Sequence, residues 1–427
     1  MFRFDKLHLE NFRCFEDLEV DLEQDLTVLF AENGGGKTAL LTALAMGLAT
    51  FQRGSPKDAQ PAVSRDPRQV PIGERGGREP AGPCSLTWTA TVGGDSQVEW
   101  LTVLNPASGR SSRRRHGTVL EAIERSRVPR ERWPLFAWYG TGRLGRSRPR
   151  RSPPRATADR FDAYMSSLDP SLNEASLLKW FTDEILSDAV RRREGERERF
   201  LDAAVAQAMV RATPGVQAIW FEPRERSPSV RFEDGHVALW TELSDGFHVY
   251  LALIADIARR VVMLNEFDAV EELDADEDSR QGVPRPFRLV EGVVLIDEID
   301  LHLHPRWQRI VLDGLREVFP SLQFVVTTHS PQVLSSAKNR QVRRLVNWQI
   351  QEHSVYVEGR DSNSILREQM RTGARDEDGE NLLRDLHDAI DAGRRQEAER
   401  RYADLLSRWG DLDPDLIRAK GIMSWEE

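Results

Sequence analysis

Cysteine is nearly absent: Cys14 and Cys84 are the only two in 427 residues, and they form no CxxC pair. That excludes a zinc module and a disulfide framework, and it fits a reducing compartment. Long apolar runs are missing too, since no window reaches the ~18 consecutive apolar residues that span a bilayer. The opening MFRFDKLHLENFRCF alternates like a strand and carries no signal-peptide stretch. Together these absences predict a cytoplasmic chain with no membrane partner. Internal repeats and coiled coils of several heptads are lacking as well. Net positive charge is also missing. At −10 the chain is no general nucleic-acid coat, although basic loops at Arg110–Arg115 and Arg143–Arg155 leave contact with nucleic-acid phosphates open. No aromatic stacking pattern lies within those loops, so they read equally as solvated excursions.

A chain of this length, 40% apolar and 30% charged, suits a large α/β core carrying insertions. Residues 2–30 read as strands, with Phe2–Leu9 alternating and Leu26–Phe30 a buried-type run. A glycine-rich turn follows, then a helix over Thr38–Phe51. Residues 53–83 read as an exposed loop, and Leu86–Val92 with Val98–Leu104 as a hairpin. Phe136–Tyr139 reads as a short strand before Gly140-Thr141-Gly142-Arg143, where a basic, proline-rich loop begins. Helices are predicted over Phe161–Thr213, with the charged run Arg191–Arg199 as a solvated helix face. Residues 264–282 read as an acidic surface insertion. From Val293 the chain alternates strand, helix and strand to His329, and beyond about residue 362 it is helical and amphipathic.

Ala31-Glu32-Asn33-Gly34-Gly35-Gly36-Lys37-Thr38 follows an apolar strand and opens a helix, the context of a phosphate-binding P-loop. Its glycines let backbone N–H groups turn toward phosphates, and the helix N-terminus adds its positive dipole end. Lys37 is the expected contact of the β- and γ-phosphates, and Thr38 of Mg²⁺. Ala31 stands where the pattern has glycine, which predicts a strained or reshaped loop entry. Val293-Val294-Leu295-Ile296-Asp297-Glu298 is an apolar strand ending in two carboxylates, Asp297 for Mg²⁺ and Glu298 as general base for the attacking water. Leu243-Ser244-Asp245-Gly246-Phe247 opens a helix and reads either as an ordinary N-cap or as a second anion site. Val325–Ser330 is a strand that delivers His329, which by itself reads as a structural histidine and in series with the other motifs as a sensor of the γ-phosphate.

The order of these segments, P-loop, LSxG-type helix, apolar-Asp-Glu and strand-end histidine, resembles ABC-type ATPases. Leu7-x-Leu9-Glu10-Asn11-Phe12-Arg13, Glu298–Pro305 and Thr327–Gln332 narrow the likeness to the RecF/SMC-like branch. Tyr139–Arg143, Leu243–Phe247 and Gly359–Leu366 resemble the PtuA family of Septu and retron-associated anti-phage ATPase subunits. The resemblance implies an ATP-dependent homodimer. Ser244 and Gly246 of one copy then cap the γ-phosphate held by Lys37 of the other, with Asn33, Gly34, Gly35, Gly36, Thr38 and Arg13 at the nucleotide and Asp300 at the seam. It also implies a separately encoded HNH-type nuclease as partner. The expected fold is an α/β ABC-type ATPase head with a P-loop core sheet, an antiparallel β subdomain and a helical lobe, plus a small C-terminal helical region. Its segments are 1–142 with the P-loop and β subdomain, 143–242 with the basic loop and helical lobe, 243–361 with the second half of the core, and the tail 362–427. A RecF/SMC-like repair ATPase is the alternative function. An overcoming-lysogenization-type ATPase–nuclease is a weaker one, resting on Glu358 and on Asp411-Leu412-Asp413. A Toprim nuclease needs an apolar strand before that D-x-D, and Arg401–Gly410 instead has helical spacing.

Overall fold

The computed structural model describes residues 2–51, 66–72, 77–93, 96–105, 110–115, 133–144, 160–172, 174–196, 198–222, 225–265, 285–351, 355–370 and 375–425. Two compact units emerge, Met1–Gly359 and Arg360–Glu427. In chain order the strands are β1 (Phe2–Phe12), β2 (Phe15–Asp21), β3 (Leu26–Phe30), β4 (Gln69–Ile72), β5 (Gly77–Pro80), β6 (Cys84–Val92), β7 (Ser96–Asn105), β8 (Arg110–Arg115), β9 (Leu135–Tyr139), β10 (Val216–Glu222), β11 (Ser227–Phe232), β12 (Val237–Leu239), β13 (Gly292–Ile296), β14 (Leu322–Thr328), β15 (Val342–Val346) and β16 (Gln349–Ile350).

The first unit is built on a core sheet of order β16-β15-β3-β14-β13-β9. Every pairing from β15 to β9 is parallel, and β16 adds an antiparallel edge. Strands β3, β9, β13 and β14 are buried along their whole length. Their sequences LTVLF, LFAWY, GVVLI and LQFVVTT are therefore near-continuous apolar runs, as strands covered on both faces must be. A second, antiparallel sheet of order β2-β1-β6-β7-β8 forms the β subdomain. In β1 the alternation of Phe2, Phe4, Leu7 and Leu9 supplies one buried face.

The helix Lys37–Leu48 touches both sheets and is buried on nearly every side, which explains why its residues TALLTALAMGL show no polar stripe. The Trp88 indole of β6 donates to the Ala43 carbonyl at 2.9 Å. A Cβ on Gly47 would lie 2.7 Å from that indole, so only glycine admits this approach. Helices Glu174–Glu194 and Leu201–Arg211 pack on the long helix Asp245–Leu264, and the sheet β10-β11-β12 packs on Leu201–Arg211 through β10. Inside that helix Asp256 is buried between Arg259 and Arg260 and accepts the Tyr139 hydroxyl at 2.8 Å. Burial alone would raise the Asp256 carboxyl, but Arg260 and Arg259 outweigh it and hold the pKa far below the usual range.

The expected α/β architecture, a core sheet with an antiparallel subdomain and C-terminal helices, is present. Four local readings differ. Residues read as an exposed loop over 53–83 include the β4–β5 ladder and Asp66, which is buried; residues 52–65 and 73–76 lie outside the described set. The basic segment Arg110–Arg115 is not a loop but edge strand β8, in register with β7 from Asn105↔Arg110 to Trp100↔Arg115. Charged residues suit a sheet edge because they discourage further pairing. The run Arg191–Arg199 is not one helix face. The helix ends at Glu194, where Gly195 takes φ +76°. The chain then folds back so that Arg192 pairs with Glu198, while Asp188 receives Arg191 and the backbone N–H groups of Arg199 and Phe200. The N-terminal helix ends at Leu48, short of Phe51. The acidic insertion from residue 266 onward and the basic loop beyond Leu144 lie outside the described residues. Among the described residues, no helix is long and apolar enough to cross a membrane.

The second unit contains helices Ser362–Glu368, Glu377–Asp391, Arg395–Trp409 and Pro414–Trp425. The stripe Leu383, Leu386 and Ile390 packs with Ala398, Leu405, Leu416 and Ala419 into the unit's own core. Arg375 lies over the Trp409 ring at 4.0 Å and donates to Asp413 and Asp415. Asp413 also accepts the N–H groups of Asp415 and Leu416. The D-x-D thus closes a helix start and does not end a strand, so it lends the nuclease alternative no support.

Candidate functional site

In a parallel sheet the strand C-termini share one edge, and loops leaving that edge form the crevice where ligands bind. Four such ends carry the residues singled out in the sequence: β3 leads to the P-loop, β13 to Asp297-Glu298, β14 to His329 and β9 to Gly140–Arg143.

The loop after β3 turns through Gly34 (φ +77°) and Gly36 (φ +96°). Ala31 is buried and is not among the positive-φ residues, so the substitution of alanine for the first glycine strains nothing. Its methyl is accommodated by its neighbour instead. A Cβ on Gly35 would lie 2.6 Å from Ala31 Cβ, and one on Gly36 would lie 2.4 Å from the Phe15 ring. Asn33 is exposed at the loop tip. Lys37 Nζ donates to the carbonyls of Ala31 (2.9 Å) and Glu32 (3.2 Å). Burial lowers its pKa against the opposing pull of Asp297, Glu298 and Asp300.

The two carboxylates are held by a set of hydroxyls and carbonyls. Thr38 Oγ1 donates to Asp297 Oδ2 at 2.7 Å, which joins the P-loop helix to the end of β13. Thr327 Oγ1, from β14, donates to Asp297 Oδ1 at 2.6 Å and accepts the Glu298 N–H at 2.7 Å. Glu298 itself has φ +47°, an uncommon conformation for a non-glycine residue. Arg143 braces the same segment from the β9 side, donating to the carbonyls of Asp297 (2.6 Å), Glu298 (2.6 Å) and Gly140 (3.0 Å). It is only 5% exposed, and burial lowers its guanidinium to about 10 despite Asp297, Asp300 and Glu298.

Thr327 and Arg143 are functional candidates that the sequence reading missed. In the sequence Arg143 stands as the first residue of a basic, proline-rich loop. Its signal was its place directly after an apolar strand in Gly140-Thr141-Gly142-Arg143. For Thr327 the signal was a polar residue at the end of an otherwise apolar strand.

His329 stands half-buried at the end of β14. Burial and the Lys37 charge lower its pKa, opposed by Asp300, Glu298 and Asp297. Asp300 accepts the Thr328 hydroxyl at 2.6 Å and the His329 N–H at 3.3 Å. Lys37, Thr38, Asp297, Glu298, Asp300 and His329 are therefore brought together. Ser244 and Gly246 are placed differently. Ser244 is exposed at the start of helix Asp245–Leu264 and makes no side-chain cap bond. Gly246 backs onto the segment after Asp300, where an added Cβ would be 2.0 Å from the His302 carbonyl oxygen. Among the described residues, no hydrogen bond joins either residue to the P-loop. His302 has φ +62°, and His304 Nδ1 accepts the Arg306 N–H at 3.3 Å, capping the helix Pro305–Gln308. Arg13 pairs with buried Asp66 at 2.9 Å and donates to Thr42 Oγ1 at 3.0 Å, one turn along the helix from Thr38.

Comparison with known proteins places this arrangement. A family described as "AAA domain" matches residues 6–179, and one described as "AAA domain, putative AbiEii toxin, Type IV TA system" matches residues 110–335. The Retron Ec83 probable ATPase of Escherichia coli is 42% identical over 125 residues, 29% of this chain and 20% of that protein. The Septu protein PtuA of Bacillus mycoides is 25% identical over 359 residues, 83% of this chain and 41% of that protein. The chain thus spans under half the length of these relatives. A solved SMC head bound to the C-terminal winged-helix domain of ScpA is 15% identical, with a TM-score of 0.49, and covers 83% of this chain and 98% of that one. The second match covers more than half of the chain and includes strands β9, β13 and β14 of the site, while β3 and the P-loop lie within the first: this protein belongs to the AAA-domain family of ATPases and resembles the Septu PtuA and retron ATPases.

Proposed function

We propose that this chain binds and hydrolyses Mg-ATP, that two copies close around the nucleotide, and that the cycle gates a separately encoded HNH-type nuclease in cytoplasmic anti-phage defence. The observation that carries the ATPase reading is the joining of Thr38 to Asp297 across 2.7 Å, with Lys37 beside them. Two hard oxygen donors at one point suit Mg²⁺, which takes one or two protein oxygens together with phosphate oxygens. Bound there, the ion would neutralise charge on the phosphates. Lys37 is charged and buried against neutral carbonyls, and phosphate oxygens are stronger acceptors for it. Glu298 follows Asp297 on a backbone fixed by Thr327 and Arg143, which suits a base that takes the proton of the attacking water. His329 lies within the field of Lys37 and Asp300, as a γ-phosphate contact requires.

The homodimer rests on the exposure of Ser244 and on the family order of motifs. A helix start that is exposed and makes no hydrogen bond to its own P-loop among the described residues is free to meet a phosphate held by a second copy. The defence role and the nuclease rest on the likeness to Septu and retron ATPases. Hydrolysis and light scattering test the core of this reading. Wild type should release phosphate from Mg-ATP. Lys37→Ala should lose binding, and Glu298→Gln should bind but turn over about 10²–10⁴-fold more slowly. Glu298→Gln in Mg-ATP should also scatter as a larger particle than in ADP. Wild-type turnover by Glu298→Gln would remove the base assignment, and an unchanged mass would remove the dimer.

A further inference from the structure

Strands β15 and β16 are joined by two residues, since Val346 pairs with Gln349. Asn347 and Trp348 both have positive φ, +51° and +62°, the pattern of a tight hairpin turn that strongly prefers Asn-Gly. The asparagine is where the turn wants it. The glycine position holds tryptophan, the bulkiest side chain, in a backbone region where bulky residues are outliers. Such an outlier points to a role for the side chain itself.

The surroundings say what that role is. Strand β15 runs parallel to β3, with Arg344 opposite Phe30, so the turn projects beside the loop that follows β3. The Trp348 indole N–H donates to the Gly34 carbonyl at 3.3 Å. Gln349 Nε2 donates to the Asp17 carbonyl of β2 at 2.8 Å and fastens the hairpin to the β subdomain. Despite these anchors the side chain remains 49% exposed. Among the described residues, no aromatic ring or guanidinium packs on its faces. A large flat apolar surface is thus held in place, left open, and set one hydrogen bond from the phosphate loop. We propose that Trp348 is the base platform of the nucleotide site, on which a purine stacks while its phosphates lie at Gly34–Thr38. The inference rests on the nucleotide reading above. It extends that reading to the base, where neither the P-loop pattern nor the carboxylates give any contact.

Isothermal titration of the full chain with Mg-ATP, Mg-GTP and inorganic tripolyphosphate tests it. Tripolyphosphate has no base to stack. Base–aromatic stacking predicts that Trp348→Ala weakens ATP by roughly 5- to 150-fold. GTP should weaken in parallel, because every base presents a π-face, while tripolyphosphate affinity stays unchanged. Trp348→Phe lacks the indole N–H but keeps a ring, and it should retain most of the ATP affinity. An ATP change below about twofold in Trp348→Ala overturns the platform. Equal weakening of tripolyphosphate, or a Trp348→Phe as weak as Trp348→Ala, also overturns it, because the indole would then only buttress Gly34. Lys37→Ala separates the two levels. It should weaken ATP and tripolyphosphate alike, and if it weakens neither, the nucleotide reading itself fails and the platform with it.

Discussion

Removing one hydroxyl, in Thr327→Val, should damage both stability and turnover. Valine has nearly the shape of threonine, so the change leaves the packing of β14 largely intact. Thr327 is fully buried, and its Oγ1 makes two bonds, one donated to the Asp297 carboxylate and one accepted from the Glu298 N–H. A charge-assisted bond contributes about 1.5–3 kcal/mol and a neutral one about 0.5–1.5, so the loss should be about 2–4 kcal/mol. At about 2.1 cal/mol/K per residue of unfolding entropy, a unit the size of Met1–Gly359 should melt about 3–5 °C lower. Turnover should fall further than stability implies. Asp297 Oδ1 and the Glu298 backbone lose their common anchor, and a shift of about 1 Å in a reacting group can remove about 10²-fold in rate. Differential scanning calorimetry and a phosphate-release assay measure the two effects, with Thr327→Ser as the control that restores the hydroxyl. A Thr327→Val protein with wild-type melting and wild-type turnover would refute the assignment of Thr327 as the residue that positions both carboxylates.

Gly246→Ala should destabilise the first unit by about 1–3 kcal/mol, because the new Cβ would meet the His302 carbonyl oxygen at 2.0 Å and neither partner is a flexible side chain; an unchanged thermal midpoint would contradict this. Asp256→Asn should lower stability by about 3–5 kcal/mol at pH 7, since Arg259 and Arg260 stay buried without their carboxylate. The folded pKa of Asp256 is lowered, so its stabilisation is fully present above the usual carboxylate range and is lost as pH falls through the folded value. Urea titrations should therefore show the gap between wild type and Asp256→Asn narrowing toward pH 3, and a gap that widens on acidification would contradict the assignment.

The local chemistry of the core was legible in the sequence because it follows short-range rules. Leu26–Phe30 and Val293–Ile296 are short, largely apolar runs of the kind that strands buried on both faces show, and the glycines at 34–36 announce a turn in which Gly34 and Gly36 take positive φ. The Leu86–Val92 and Val98–Leu104 alternation likewise announced a hairpin, found as Cys84–Val92 with Ser96–Asn105. Only the tertiary structure could decide which side chains hold the site. Arg143 looked like the first residue of a basic loop, and its burial against the Asp297 and Glu298 carbonyls follows from β9 lying beside β13, a pairing between segments more than 150 residues apart. Gly195 ended a helix that charge patterning alone carried on to Arg199, and Arg110–Arg115 became a strand because β7 offered it an edge. Trp348 gave no local signal at all. Its meaning comes from the parallel pairing of β15 with β3, which carries a turn far along the chain to the side of Gly34. Periodicity and turn chemistry act over a few residues and can be read from the sequence, whereas strand order is set by packing across the whole chain.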